Sequence, residues 1–277
     1  MEFGPLASIL LAEGLYLRAL FVLGRRGVAI PLGQRVCWHL GLALWVAGLL
    51  TPIGSLAEEA LVFHMAEHLL IADLGAPLLL VGMRSPVLVF LLPRPLLVAV
   101  ARRQKLRGLF RALRRPLVAI PVYMGVLYLW HFDFMFEAAV RSPLVHVLQH
   151  GSFVGIGILV WWAVIEPKRR RLPGELWKIP HILAARVLGM FLGMAFVLIR
   201  VPVYAGVYGT GERAYGLSPL HDQQLAGALM VSVDILIMAF SLCFLFWRAS
   251  QDADLDDAGT RVARPDPGHR PRSPTRR

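Results

Sequence analysis

Cysteine is nearly absent from this 277-residue chain, Cys37 and Cys243 being the two that occur. With so few, neither a disulfide scaffold nor a thiolate metal motif is expected. Charge is scarce too, 17% of residues against 57% hydrophobic, which excludes both a disordered chain and an ordinary soluble domain. Acid is missing altogether from Arg94 to Arg115, a stretch that holds eight Lys or Arg. No nucleophile, carboxylate pair or phosphate loop stands in a catalytic setting, so the chain is not read as an enzyme. Met1-Glu2-Phe3-Gly4-Pro5 lacks the basic start of a signal peptide, and the first apolar run is therefore expected to be retained.

What is present is a series of apolar runs separated by short basic blocks. The net charge of +11 sits in those blocks rather than over a soluble surface, which points to anionic lipid and excludes a nucleic-acid partner. Seven runs approach the ~20 residues that a crossing needs. They are about 6–23, 36–51, 61–81, 116–134, 144–165, 179–199 and 222–247. A further piece, 87–92, is too short to cross. Arg25-Arg26, the Arg94–Arg115 stretch, Lys168-Arg169-Arg170-Arg171 and the Arg-rich end occupy alternate loops, whereas Glu58, Glu59, Asp133, Glu137, Arg141, Arg200, Glu212 and Arg213 fall in the others. The expectation is an all-α polytopic membrane bundle of seven transmembrane helices, with the N-terminus outside and the C-terminus cytoplasmic. Residues 1–250 form the membrane domain and 251–277, poor in apolar residues, a disordered cytoplasmic tail.

Histidine is the informative residue. His64 and His68 are one helical turn apart at the head of the third run, and His146 and His150 repeat that spacing at the head of the fifth. Side chains at i and i+4 share a helix face, so each pair has a chelating geometry. His131 closes the fourth run. In the topology above these five lie at the outer ends of their spans, His68 and His150 at one depth. Imidazole suits copper, zinc, iron or nickel, and a thioether from Met65 or Met135 would favour Cu(I), although both methionines read better as packing residues. Asp222, Gln149, Gln223 and Gln224 are candidates to orient a ring through its second nitrogen. His39, His181 and His221, taken singly, read as ordinary interfacial residues.

Other polar residues fall deep in the spans. Asp234 and Arg186 come out at similar depth and read as a structural ion pair, while Asp73 has no assigned partner. Gly151-x-x-x-Gly155 and Gly189-x-x-x-Gly193 read as close helix-packing faces. Trp130, Trp161 and Trp162 read as interfacial belt residues.

The motif His64-Met65-x-x-His68-Leu69-Leu70, with Ala76-Pro77-Leu78-Leu79 and Gly82 after it, resembles the multi-spanning CtaG family of cytochrome c oxidase assembly factors. Trp130-His131, His146-x-x-x-His150-x-x-Phe153 and Trp161-Trp162 are similar to that family's middle block, and Asp222-Gln223-Gln224-Leu225-Ala226-Gly227 to its last. The resemblance implies a multi-pass protein of the bacterial plasma membrane that helps to mature a haem-copper oxidase by handling copper. The expected ligands are His64, His68, His131, His146 and His150, with Asp222 orienting one of them. An oxidase subunit is the expected partner, and the sequence leaves open whether the site forms in one chain or across a homodimer. Three rival readings stand beside this one. They are a bis-histidine haem protein using His68 and His150, a copper or proton transporter using Asp73 and Asp234, and a scaffold in which the histidines only form hydrogen bonds.

Overall fold

The computed structural model describes residues 3–165 and 177–263. It is all-helical, with no strand among the described residues. The order is α1 (Phe3–Gly24), α2 (Leu32–Leu49), α3 (Pro52–Leu56), α4 (Leu61–His68), a π-helical segment (Leu69–Gly75), α5 (Ala76–Gly82) and α6 (Val87–Phe90). There follow α7 (Arg94–Arg102), α8 (Gln104–Leu113), α9 (Pro116–His131), α10 (Asp133–Arg141), α11 (Pro143–Ile165), α12 (Lys178–Leu198), α13 (Ala205–Tyr208), a 3-10 turn (Ala214–Gly216) and α14 (Pro219–Ala263). Six helical units are long and apolar enough to cross a membrane. The seventh expected span is α9, whose 16 residues reach about 24 Å at the helical rise. It counts as a span only together with α8, from which it turns by 84°. The Lys168–Arg171 block lies outside the described residues, and so does the end of the expected tail, 264–277.

The histidine-bearing span is the centre of the bundle. Of the α4–α5 unit 61% is buried, against 22% of α1 and of the α2–α3 unit. It packs against α2, α11 and α14. Leu10, Leu11 and Phe21 of α1 stay exposed, as lipid-facing side chains do. Small residues bring α12 and α14 together: a Cβ on Gly193 would lie 3.0 Å from the Gly227 carbonyl oxygen, and one on Gly189 2.8 Å from Asp234 Oδ2. Gly151 and Gly155 correct the sequence reading, because neither has an atom within 4 Å of where its Cβ would stand. They face away from the bundle.

The tryptophans also differ from expectation. Trp130 is buried and donates from Nε1 to Ser152 Oγ at 2.6 Å, and Trp161 is buried with the Arg186 guanidinium 6.0 Å from its ring. A hydrogen-bonding partner and a buried cation hold these two indoles in the core. Trp162 packs edge-on against Phe110 of α8 at 5.2 Å.

Arg186 is the polar centre of the core. Its Nη1 donates to Asp234 Oδ1 at 2.8 Å and to Asp73 Oδ1 at 2.5 Å, and its Nη2 donates to the Tyr123 hydroxyl at 3.1 Å. The expected Arg186–Asp234 pair is there, and Asp73 joins it. The π-helical segment explains why. In an α-helix Asp73 would lie about 140° around the axis from His68. A π-helix closes its turns from i to i+5, which brings Asp73 closer to the face of His68, and both line one cavity.

Candidate metal centre

Four imidazoles meet at one end of the bundle. α4 sets His64 and His68 with ring centroids 4.4 Å apart, and α11 sets His146 and His150 4.2 Å apart. The two pairs face each other rung by rung, His64 to His146 at 5.3 Å and His68 to His150 at 5.1 Å. Ligand atoms of His64, His68 and His146 all lie within 4.8 Å of one another. The structure thus brings together four of the five histidines, and all four come from a single chain.

The fifth, His131, stands beside this group rather than in it. Its Nδ1 donates to the Leu127 carbonyl at 2.7 Å, and its ring lies 6.1 Å from that of Phe153, which packs 4.7 Å from His68. His221 is exposed and His39 half-exposed, while His181 is buried with Nε2 3.0 Å from the Val160 carbonyl oxygen.

Glu67 is the residue that sequence reading passed over. It is buried among the rings, with Oε1 3.7 Å from His150 Nε2, and it forms a second compact group with His146 and His150. Its position between the paired histidines of His64-Met65-Ala66-Glu67-His68 was a readable signal. A carboxylate inside a cluster of neutral rings supplies negative charge for a bound cation.

The donor set fits a metal. His64 Nε2, both nitrogens of His68, His146 Nε2, His150 Nε2 and Glu67 Oε2 are buried without a hydrogen-bond partner. Each such group costs about 1–3 kcal/mol when left unsatisfied. One cation would satisfy several of them at once. Haem does not fit in the same way, since a porphyrin would have to lie between His68 and His150. Those rings are already in edge contact, and the glycines Gly151 and Gly155 face away.

Asp222 serves the site by a different route from the one expected. Instead of orienting a ring, its carboxylate caps α4, accepting from the Leu61 amide at 2.8 Å and the Val62 amide at 2.9 Å. Arg213, also missed from sequence, holds Asp222 with Nε 3.6 Å from Oδ2 and donates to the Tyr208 and Gly209 carbonyls. Gln223 accepts from the Val203 amide at 2.8 Å and donates to the Phe196 and Ile199 carbonyls, which closes the end of α12. Gln149 is buried with its Oε1 unpartnered, and Gln224 bonds to the Val197 carbonyl.

The 199–218 loop covers the cluster. Tyr204 stacks on Phe136 at 3.9 Å, Phe136 lies 4.8 Å from His64, and the Tyr204 hydroxyl donates to the His131 carbonyl at 2.8 Å. Tyr208 donates to the Ala57 carbonyl at 2.9 Å. Burial holds both phenols above their ordinary pKa, so they remain donors.

The model of the cytochrome c oxidase caa3 assembly factor family matches residues 14–252, which includes every residue of the imidazole cluster and of the Asp222 cap. The chain belongs to that family. Its relatives include uncharacterized proteins of Mycobacterium bovis and Mycobacterium tuberculosis, each 28% identical over 235 residues, and one of Mycobacterium leprae, 27% identical over 119 residues. The first two alignments cover 82% of this chain and 35% of the relative, and the third covers 42% and 18%. The chain therefore spans about a third of the length of the first two relatives. No solved structure matches it. Within this assembly-factor chain, the imidazole cluster and the Asp222 cap join the three blocks by which the sequence resembles the family.

Proposed function

We propose that this assembly factor binds copper in the four-imidazole cluster and passes it to a subunit of a haem-copper oxidase. The cluster of buried, unpartnered nitrogens on facing helices carries the reading, with the family's part in caa3 oxidase assembly behind it. His64, His68, His146 and His150 are the proposed ligands, Glu67 balances the charge, and Asp222 positions α4. Imidazole ligation is labile enough for the ion to leave by ligand exchange when a partner offers softer donors. The alternation of basic loops supports a plasma-membrane protein with the cluster on the outer face, beneath the 199–218 loop. Bond-making chemistry has no part in this role.

Elemental analysis and an absorption spectrum of the detergent-purified protein, beside a His68→Ala, His150→Ala variant, test the proposal. Copper in the wild type, absent from the variant and without a Soret band, is the expected result. A Soret band lost in the variant would replace copper with haem, and metal in neither would leave a scaffold. A second reading, transport past Asp73, is favoured by a cavity that leads from His68 toward Asp73. It requires copper or proton flux to fail in Asp73→Asn while copper binding at the cluster survives.

A further inference from the structure

Beneath the four-imidazole cluster lies a cavity of about 40 Å³, room for one ion or water. Its lining is chemically mixed. His68 and His131 stand at the cluster end, Met65 and Met230 line it beside them, and Asp73 and Tyr123 reach it from the core end. Met65, Met230 and His68 are all more than nine-tenths buried.

His131 is prepared as a donor to this space. A carbonyl can only accept, so the 2.7 Å contact with the Leu127 oxygen places the ring proton on Nδ1. In the neutral ring that leaves the lone pair on Nε2, which is buried without a partner. His68 has neither nitrogen engaged. The thioethers add two soft donors, and thioether with imidazole selects Cu(I) among the first-row ions.

Charge points the same way. Two carboxylates, Asp73 and Asp234, share the single guanidinium of Arg186, so at most one of them has a full countercharge. An uncompensated charge inside a bilayer is costly and favours a cation nearby. His68, just before the π-helical segment, and Asp73 within it both line the cavity.

We propose that this cavity is a second metal position, selective for Cu(I), with the thioethers of Met65 and Met230 and the imidazoles of His68 and His131 as its donors. His68 belongs to both positions, so the ion passes between the cluster and the cavity by exchange around one ring. The inner site rests on the copper-binding reading only for the supply of its ion.

The test uses the full chain in detergent, loaded with up to two equivalents of Cu(I) kept reduced by ascorbate, and reads the copper environment by X-ray absorption. Three proteins are compared: wild type, Met65→Leu with Met230→Leu, and His146→Ala with His150→Ala. Leucine nearly conserves methionine's volume, so the first variant keeps its packing. The wild type is expected to show a sulfur shell. The Met variant loses that shell and binds Cu(I) about tenfold or more weakly at one equivalent, whereas the His146, His150 variant retains it. No sulfur scattering in the wild type at either loading overturns the inner site, and so does a sulfur shell that persists in the Met variant. If the His146, His150 variant binds as much copper as wild type while the Met variant loses it, the cluster reading fails and the inner site stands.

Discussion

Asp222 accepts the backbone amide of Leu61 at 2.8 Å across 161 residues of sequence, and by that bond the last span holds the N-terminus of the helix that carries His64 and His68. A carboxylate at a helix N-terminus satisfies free amides and opposes the positive end of the helix dipole. Replacing it strands two amides and leaves Arg213 facing an empty position. Asp222→Ala is expected to cost about 3 kcal/mol, and Asp222→Asn, which keeps an acceptor oxygen, about 1 kcal/mol. Thermal unfolding in detergent measures the order; equal midpoints for Ala and wild type would remove the cap from the account.

Glu67 offers a cleaner separation of binding from folding. Its Oε2 is buried without a hydrogen-bond partner, and its Oε1 lies 3.7 Å from His150 Nε2. Glu67→Gln keeps the volume and loses the negative charge. Metal affinity is expected to fall about tenfold, the effect of losing a supporting group beside metal ligands, with little change in unfolding temperature. Competition titration against a chelator checks this, and unchanged affinity would place Glu67 outside the site.

The paired histidines were legible because i,i+4 spacing fixes a shared helix face before any tertiary structure is known. The apolar runs were legible because bilayer thickness fixes their length. Facing is what spacing cannot supply. Gly151-x-x-x-Gly155 and Gly189-x-x-x-Gly193 read alike, yet the second pair packs on α14 and the first faces outward. Trp130 reads as a belt residue until Ser152 is seen beside it. Asp73 was beyond sequence reading for a further reason, since a π-helical segment changes the helical period itself and moves the residue onto a face that 3.6 residues per turn would not give it. Glu67 stood in plain view between the paired histidines, but its contact with His150 is long-range, and Arg213 lies in a loop whose fold alone brings Tyr208, Gly209 and Asp222 to it.

Arg186 serves two carboxylates from one Nη1, so losing a carboxylate and losing the guanidinium are unequal events. Asp73→Asn leaves the neutral Arg186–Asp234 pair intact and is expected to cost about 1 kcal/mol or less. Arg186→Met strands two carboxylates at once and is expected to cost at least 3–5 kcal/mol, roughly the penalty for breaking a buried pair. Denaturant unfolding of the purified variants gives the ratio. Comparable losses in the two would mean that Asp73, rather than Asp234, carries the pairing with Arg186.

The two glycine motifs make a matched control for helix packing. Gly193→Val puts a side chain against the Gly227 carbonyl and Val231, 3.0 Å from each at Cβ alone. It is expected to cost about 2 kcal/mol by overpacking the α12–α14 contact. Gly151→Val enters open space and is expected to stay within about 0.5 kcal/mol of wild type. Thermal midpoints of both variants decide it, and a large loss at Gly151 would reveal a partner on that face.

The charge pattern predicts an orientation in which the proposed cluster ligands lie on the outer side of the membrane. Phe110 of α8 packs on Trp162 at the end of α11 opposite His146 and His150, and α8, part of the acid-free basic stretch, turns 84° from α9. Basic segments are retained in the cytoplasm. In a chain freed of Cys37 and Cys243, Gly211→Cys in the loop over the cluster is expected to react with a membrane-impermeant maleimide in intact cells. Gln104→Cys at the start of α8 should react only in inverted vesicles. The opposite pattern would turn the bundle over and put the imidazole cluster on the cytoplasmic face.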